Sequence, residues 1–369
     1  LQARRHEHPR WLLQSVERMA AWATAIELQG GGFPRFNDSA ADACRPLDAV
    51  SASAQRYLAP AALQRPQTVH QPQAALIDLP ETGWTLLRPG HGWELAFKCG
   101  IPCPPHLAAH AHSDLLSFDL WHHGQPVIAE VGTSVYGSGP DRQFERSSAA
   151  HNSLQLGLPN PTAPHGTWEN ETIWIEAVDV WAGFRAGRKA QPHSRSHGCS
   201  GPWLWAAGSH DGYSFIAAQH FRWLGLRLSP FHQPVLVVVE AITASKPLHW
   251  RGWWHLGPGL SPSLSELGLQ WHCWPELAPS QQQTTDGYIA AGFGHRQPCS
   301  VLRRWGSMPA GRHLLISVIA PEDVLLECSS TASSDGSLFL TDLGRIYWRW
   351  PGSLNQQSSL PIPRVLIEA

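Results

Sequence analysis

The sequence contains little lysine and carries almost no net charge. Only three of its 27 basic residues are lysine (Lys98, Lys189 and Lys246), and the formal net charge is −2. This balance gives no reason to expect a nucleic-acid partner. The remaining basic residues are arginine, whose planar guanidinium suits bidentate binding of carboxylate or sulfate, although genome composition produces the same bias.

Long apolar segments and paired cysteines are also missing. No stretch of about 18 apolar residues is present, so no membrane span is predicted. Of the seven cysteines only Cys99 and Cys103 lie close together, and no second pair completes a zinc knuckle, so we expect mostly free, buried thiols. The chain starts at Leu1 without a signal-peptide pattern or an initiating methionine, which is typical of a processed or truncated start and leaves the compartment open.

Periodicity divides the chain into a short helical part, a linker and a long β part. Apolar residues recur at helical spacing over residues 9–28, and a second helical stretch is predicted around residues 46–59. We expect residues 1–62 to be the C-terminal end of a helical domain and residues 63–75 to be a linker rich in proline and glutamine. Many short apolar runs separated by turn residues predict a large antiparallel β-sandwich over residues 76–369, so the predicted fold class is mainly β.

The segment from residue 110 to residue 152 concentrates side chains that carry chemistry. His110 and His112 are two residues apart, so in a strand both would project from one face. His112, Glu130 and His151 supply two imidazoles and a carboxylate, a donor set that suits zinc, and their spacing fits three neighbouring strands. The alternative is a set of ordinary satisfied polar groups, because 21 histidines make some proximity expected by chance.

Other residues of the same segment suit acid–base chemistry and substrate binding. The His110 imidazole would titrate near neutral pH. Tyr136, Arg142 and Arg146 follow on a predicted loop between strands, where the alternative for the arginines is a solvated surface. The 19 tryptophans offer rings for stacking on sugars, although we expect most of them to belong to the core.

Several short motifs resemble those of one known family. These are GWTLLR at residues 83–88, AHAHSDLLSF at 109–118, EVGT at 130–133 with Tyr136 after it, and RSSAAHNS at 146–153. Together they resemble the β-sandwich part of the heparinase II/III-like polysaccharide lyases. Upstream, GFPRFNDS at residues 32–39 resembles the loop at the end of that family's α/α toroid. The resemblance thus implies a sandwich preceded by a short helical remnant of a toroid.

The resemblance also implies roles for individual residues. The family's zinc ligands match His112, Glu130 and His151, with the metal mainly structural, and the histidine that matches His110 faces the substrate cleft and takes part in catalysis. Substrate contacts would come from Asn37, Asp38, Tyr136, Arg142, Arg146 and Asn152, with turn capping as the alternative for the first two. Glu130 stands where the family usually has aspartate, and the family's catalytic tyrosine would fall upstream of Leu1.

The implied function is cleavage of an anionic, uronic-acid-containing polysaccharide by β-elimination, in a periplasmic or secreted protein. We expect the longer parent protein to be the active lyase and this chain to be inactive without the upstream tyrosine. Two alternatives stay open. A non-catalytic carbohydrate-binding or scaffold protein would keep the sandwich without turnover, and a cupin-like metal enzyme would need a glutamate where Leu116 and Ser117 stand.

Overall fold

The computed structural model describes residues 9–40, 42, 47–55, 74–162, 169–181, 183–275, 281–328, 336–340, 343–350 and 364–368. Within these ranges the α-helices are α1 (Arg10–Ile26), α2 (Leu47–Gln55) and α3 (Pro140–Arg146). The strands are β1 (Ala75–Leu79), β2 (Trp84–Gly90), β3 (Trp93–Lys98), β4 (Phe118–His122), β5 (Gln125–Ile128), β6 (Leu154–Pro159), β7 (Thr172–Ile175), β8 (Val178–Val180), β9 (Ala186–Lys189), β10 (Pro192–Ser200), β11 (Trp203–His210), β12 (Ala218–Leu228), β13 (Pro234–Ala244), β14 (Leu248–His255), β15 (Leu269–Trp274), β16 (Gln282–Gly292), β17 (His295–Met308), β18 (Gly311–Pro321), β19 (Leu326–Cys328), β20 (Gly336–Leu340), β21 (Gly344–Arg349) and β22 (Arg364–Glu368).

The two N-terminal helices lie where helical periodicity occurs in the sequence. Helix α1 follows Pro9, and the backbone turns extended at Glu27, just before the glycines that end the predicted helix. Helix α2 covers the central part of the predicted stretch 46–59, and the predicted linker 63–75 falls almost entirely outside the described residues. Among the helices of the described residues, none has the length and apolar character needed to cross a membrane.

The described strands pair antiparallel and form four larger sheets and one hairpin. The first sheet is a meander in the order β1-β2-β3-β4-β5, and the central sheet has the order β10-β11-β12-β13-β18-β15. A third sheet has the order β16-β17-β14-β6-β7, a fourth runs β19-β20-β21-β22, and β8 pairs with β9. The prediction of a mainly β, antiparallel sandwich after short helices is confirmed.

The central sheet is covered on both faces. Every residue of β13 is buried, and its side chains alternate between two cores. Leu236 and Val238 face a core shared with the first sheet, whereas Val235 and Val237 face a core shared with the fourth sheet. A continuous apolar run is what a strand buried on both faces requires.

The first sheet carries the N-terminal segment on its outer face. Along β3, Leu95 and Phe97 point into the core, while Ala96 points outward and packs with Ile26 and Phe36. This alternation follows from the two-residue repeat of a strand. It brings the stretch after α1 alongside β3 and positions residues 37 and 38 beside the predicted catalytic segment.

Candidate functional site

The two histidines of the His-x-His motif converge on one carboxylate, but not by strand alternation. His110 ends a 3-10 turn that begins at Ala108, and His112 lies in irregular backbone, so the prediction that both lie in a strand is wrong. His110 Nδ1 lies 2.7 Å from Asp38 Oδ2, and His112 Nε2 lies 2.7 Å from Asp38 Oδ1. The common partner sets the shared direction of the two rings.

Asp38 is the centre of a charged cluster that also includes Arg142. Arg142 Nη2 donates to Asp38 Oδ2 at 2.7 Å, and Arg142 Nη1 donates to Oδ1. The Asp38 side chain is only 5% exposed. Burial alone would raise the pKa of this carboxyl, but hydrogen bonds from His112 and Arg142 outweigh burial and hold the pKa well below its usual range. Asp38 is therefore a carboxylate anion.

A tight turn holds Asp38 in position. Asn37 adopts a left-handed conformation with φ of 55°, which asparagine tolerates better than most residues. Its side-chain amide donates to the carbonyl oxygens of Pro102 at 2.7 Å and His110 at 2.9 Å. Asn37 thus links the turn to the backbone that carries His110. These hydrogen bonds favour the turn-capping alternative for Asn37 over a direct contact with substrate.

A buried ion pair lies beneath that turn. Lys98 Nζ donates to both carboxylate oxygens of Asp114 at 2.6 Å, and the two side chains are 1% and 0% exposed. Asp114 Oδ2 also accepts the backbone N–H of Asn37 at 2.9 Å, and Lys98 donates to the Asn37 side chain. Sequence reasoning missed Lys98 as a site residue, because an isolated lysine in a strand gives no signal of its partners.

The two histidines on Asp38 differ in exposure. The His110 side chain is 47% exposed, so with Nδ1 held by Asp38 its Nε2 is left toward the surface for proton exchange. His112 is fully buried, and burial lowers the pKa of His112 to about 4 against the opposing effect of Asp38. His112 is therefore neutral at physiological pH, and His110 is the imidazole that is open to a reactant.

The three predicted metal ligands lie near one another, again outside strands. Glu130 follows β5, and His151 follows a 3-10 turn, which corrects the expectation of three neighbouring strands. His151 Nδ1 contacts Glu130 Oε2, and the His112 and His151 ring centroids are 5.4 Å apart. Burial lowers the pKa of His151, but the Glu130 carboxylate outweighs it and the net direction is upward.

The possible donor atoms of His112, Glu130 and His151 suit a metal ion only in part. His112 Nδ1 and His151 Nε2 are buried ring nitrogens without a hydrogen-bond partner among the described residues. The Glu130 carboxylate, in contrast, already accepts from Ser117, His151 and the backbone N–H of Asn152. Across the part of the chain that the structure describes, no three His, Cys, Asp or Glu side chains are grouped so that they could hold an ion.

Two of the residues predicted to contact substrate are buried and bonded to the backbone of neighbouring loops. Arg146 lies with Arg142 on α3 rather than on a loop, and it donates to the carbonyl oxygens of Ala111 at 2.9 Å and Trp181 at 2.9 Å. Asn152 is fully buried and donates to two backbone carbonyls at 2.9 Å. Their polar atoms are engaged by the backbone, so these contacts favour a positioning role for Arg146 and Asn152.

A group of exposed aromatic side chains begins beside the Arg142 guanidinium. The Tyr136 side chain is 42% exposed, and its ring lies 5.6 Å from that of Phe184 and 5.1 Å from that of Phe293. The Arg142 guanidinium is 5.1 Å from the centre of the Tyr136 ring. Phe184 and Phe293 were missed from sequence because each lies in a different distant turn, and only the fold brings them to Tyr136.

Comparison with known proteins agrees with this architecture. The family described as heparinase II/III-like, C-terminal matches residues 71–304, and the chain therefore belongs to the heparinase II/III-like family. No curated protein sequence matches the chain.

Solved heparinase structures share the fold at low sequence identity. A structure titled heparan sulfate lyase HepC from Pedobacter heparinus has a TM-score of 0.64 and 13% identity, and the match covers 98% of this chain and 54% of that one. A structure titled heparinase III-BT4657 gene product has a TM-score of 0.65 and 14% identity over 90% of this chain and 52% of that one. The chain thus spans about half the length of the heparinase structures that it matches.

Proposed function

We propose that this chain is the sandwich-bearing part of a polysaccharide lyase that cleaves a uronic-acid-containing, anionic glycan by β-elimination. The observation that carries the proposal is the pair formed by the half-exposed His110 and the buried Asp38 carboxylate, 2.7 Å from Nδ1 to Oδ2. A carboxylate that accepts from Nδ1 fixes the tautomer in which Nε2 exchanges protons with a reactant. Family membership supports the same reaction class.

The reaction needs a proton taken from C5 of the uronate and a proton given to the oxygen that leaves C4. The C5 proton lies next to a charged carboxylate, so polar donors must offset the charge that develops as an enolate-like species forms. His110 Nε2 suits one of the two proton transfers, and Asp38 stabilises the imidazolium that results when His110 acts as the base. Removing Asp38 would leave the ring free to rotate and less able to hold that charge.

Substrate binding is assigned to the exposed surface beside this pair. Tyr136 presents a half-exposed phenol, and the Arg142 guanidinium that lies by its ring is bonded to Asp38 on its other side. A pyranose ring stacked on Tyr136 would lie close to Arg142, which binds the same carboxylate as His110. Asn37 and Asp38 border this surface, with Asn37 acting through the turn that it holds.

Zinc is a further part of the proposal. His112 Nδ1 and His151 Nε2 would bind it, and the Glu130 carboxylate would be the third donor after releasing its contact with the opposite ring nitrogen of His151. When bound, zinc would supply a structural tie between the loops that carry these residues, rather than chemistry on the glycan. The observation in favour is that, among the described residues, these two buried imidazole nitrogens have no hydrogen-bond partner.

The decisive experiment follows the ultraviolet absorbance of unsaturated uronate products over a panel of uronic-acid glycans. It uses this chain and, beside it, a longer form that adds any sequence encoded upstream of Leu1. We expect product from the longer form and its loss in His110→Ala. His193→Ala is a matched control, because His193 is 55% exposed and also lies near a carboxylate, that of Asp211 at 3.9 Å, outside the Asp38 cluster.

The same experiment separates the lyase from a carbohydrate-binding protein without turnover. Absence of product from every glycan, with a folded longer protein, would overturn the lyase proposal and favour the binding alternative. Zinc is tested apart from activity by metal analysis of the purified chain, where His151→Ala combined with His112→Ala is expected to abolish bound zinc. Equal metal content in that variant would remove zinc from the proposal.

A further inference from the structure

A groove outside the Asp38 cluster has the features of a sugar-binding site. It has a volume of about 370 Å³, within the range of small-molecule pockets. Its wall combines aromatic rings with a few charged side chains, namely Trp174, Trp181, Phe215, Glu176, Asp179 and Arg188. We propose that this groove is a glycan subsite that binds an uncharged pyranose unit, a neutral hexose or N-acylated hexosamine.

The exposed rings are the first observation. The Trp181 side chain is 50% exposed and the Phe215 side chain is 58% exposed, although large aromatic side chains usually bury most of their surface. The face of a pyranose presents a row of C–H groups, and flat aromatic faces are the natural surface for it. Two such faces at one groove provide more contact than isolated surface residues do.

The Trp181 ring is held in place by the backbone rather than left free to rotate. A Cβ atom built on Gly187 would approach the Trp181 ring to 2.7 Å, so the ring lies directly over a residue without a side chain. The Trp181 carbonyl oxygen accepts from Arg146, which fixes the backbone of the same residue. A ring fixed before the ligand arrives loses less conformational entropy on binding.

The charged groups determine which sugar the groove accepts. Arg188 donates to Asp179 Oδ1 at 3.0 Å and lies 4.4 Å from the centre of the Phe215 ring, so its charge is already compensated. Glu176 accepts from Ser148 and is a second carboxylate. The Arg251 guanidinium lies 4.0 Å from the centre of the Trp174 ring and shares Gln155 with Glu176 as a hydrogen-bond partner, so positive charge also lies next to the two carboxylates. Each described charge at the groove thus has a neighbour of opposite sign, which favours an uncharged sugar over sulfate or uronate and leaves carboxylate oxygens to accept from hydroxyl and amide N–H groups.

The groove and the Asp38 cluster share one structural element. Trp181, at the groove, and Phe184, beside Tyr136, both lie in the turn between β8 and β9. We take the two surfaces to bind neighbouring parts of one polymer, with a uronate at His110 and an uncharged unit in the groove. The inference rests on the proposed function at this point, because the sugar in the groove is taken to belong to the same glycan that reaches His110.

Binding without turnover tests the subsite. Calorimetric titrations on the His110→Ala chain use two tetrasaccharides, one of alternating glucuronate and N-acetylglucosamine and one identical except for N-sulfation. We expect the acetylated form to bind about tenfold more tightly, because the guanidiniums at the groove already have carboxylate partners and a sulfate would lose its water without gaining a free countercharge. Adding Trp181→Ala is expected to weaken binding of the acetylated form about tenfold, as truncation of a central aromatic contact does.

Two further variants test whether the position of the Trp181 ring matters and whether the effect is specific to the groove. Gly187→Ala leaves every polar group in place but displaces the Trp181 ring, and it is expected to weaken binding in the same direction. Phe231→Ala, at a 75% exposed phenylalanine outside the groove, is expected to leave binding unchanged. Circular dichroism and thermal unfolding check that all variants fold.

The outcomes separate this inference from the proposed function. Undiminished binding by the Trp181→Ala chain, or equal binding of both tetrasaccharides, would overturn the subsite even if the protein is an active lyase. Binding that depends on Trp181 and on the N-acetyl group would support the subsite even if no glycan is cleaved.

Discussion

Among the clusters of the described residues that combine a carboxylate with histidine and arginine, those of Glu240 and Asp38 differ most clearly in what they expose. On the central sheet, Glu240 binds His220 at 2.7 Å and Arg222 at 2.8 Å, and all three side chains are buried. In the other cluster, Asp38 holds His110, whose side chain is 47% exposed. The same residue types therefore serve as a buried tie between strands in one place and as a candidate reactive group in the other.

The two clusters also arise differently from the sequence. Arg222 lies directly opposite Glu240 in the register of β12 and β13, so ordinary strand pairing brings them together. Asp38 and His110 are 72 residues apart, in a turn and a 3-10 turn that only the docking of the N-terminal segment brings into contact. Regular pairing thus produces the buried cluster, and irregular backbone produces the one that reaches the surface.

The largest expected effect is on the buried cluster. Glu240→Gln keeps the side-chain shape but leaves the buried Arg222 guanidinium without its countercharge, which costs about 3–5 kcal/mol of unfolding free energy. Chemical denaturation followed by circular dichroism measures the loss. Glu266→Gln, at an exposed carboxylate, is the control and should leave the midpoint unchanged. A midpoint for Glu240→Gln equal to that of the control would mean that the cluster does not stabilise the fold.

The second prediction concerns the exposed cluster. Asp38→Asn removes the charge that orients His110 and pairs with Arg142, so lyase activity should fall about 100-fold, the scale of a lost acid–base contribution. The initial rate of unsaturated product formation by the longer form is the measurement. Asp211→Asn, beside the exposed His193, should retain full activity. A folded Asp38→Asn protein that keeps at least half of the activity would contradict the assignment of the exposed Asp38 cluster as the reactive one.

A smaller effect is expected from the turn that carries Asp38. Asn37→Gly removes three side-chain hydrogen bonds, including the one accepted from Lys98, but keeps the left-handed backbone easy to form, so the cost should be about 2 kcal/mol. Asn37→Ala adds left-handed strain, and the cost should be about 3 kcal/mol. Thermal unfolding of both variants gives the ranking. Equal stabilities would indicate that the backbone conformation contributes nothing.

The smallest effect is a pH dependence of the buried cluster. Burial raises the pKa of Glu240, but Arg222 and His220 outweigh it and lower the pKa to about 2. A depressed carboxyl pKa stabilises the fold above its unfolded value and loses that contribution as pH falls toward its folded value. By pH 4 about 1 kcal/mol should be lost, so the stability gap between wild type and Glu240→Gln should narrow by that amount relative to pH 7. A gap that is constant from pH 7 to pH 4 would contradict the assignment.

The sequence predicted those parts of the molecule that repeat or alternate. The run of β13 and the helical spacing of α1 each carry a local signal, and both elements occur where they were predicted. Helix α3 was mistaken for a loop, although Pro140 at its first turn and Asp141 after it are signals of a helix start.

The candidate site was predicted less completely than the fold. Its residues between positions 110 and 152 share one stretch of chain, which made the grouping visible. The central position of Asp38 in the cluster could not be predicted, because no periodic pattern links a turn to a segment 72 residues away. The exposure of His110 and the burial of Asn152 also depend on tertiary packing, which sequence spacing does not encode.

The fully buried, apolar sequence of β13 has a consequence for the nascent chain during translation. Its partner β12 precedes it, but its other neighbour, β18, follows only after residues 245–310. At roughly 5–20 residues per second, the ribosome needs several seconds to supply that neighbour. Throughout this interval one edge of a valine-rich segment is available to other nascent chains, and Glu240 is the single charge within it that discourages cross-β association. The glutamate that ties the finished sheet together thus also acts as a gatekeeper during synthesis.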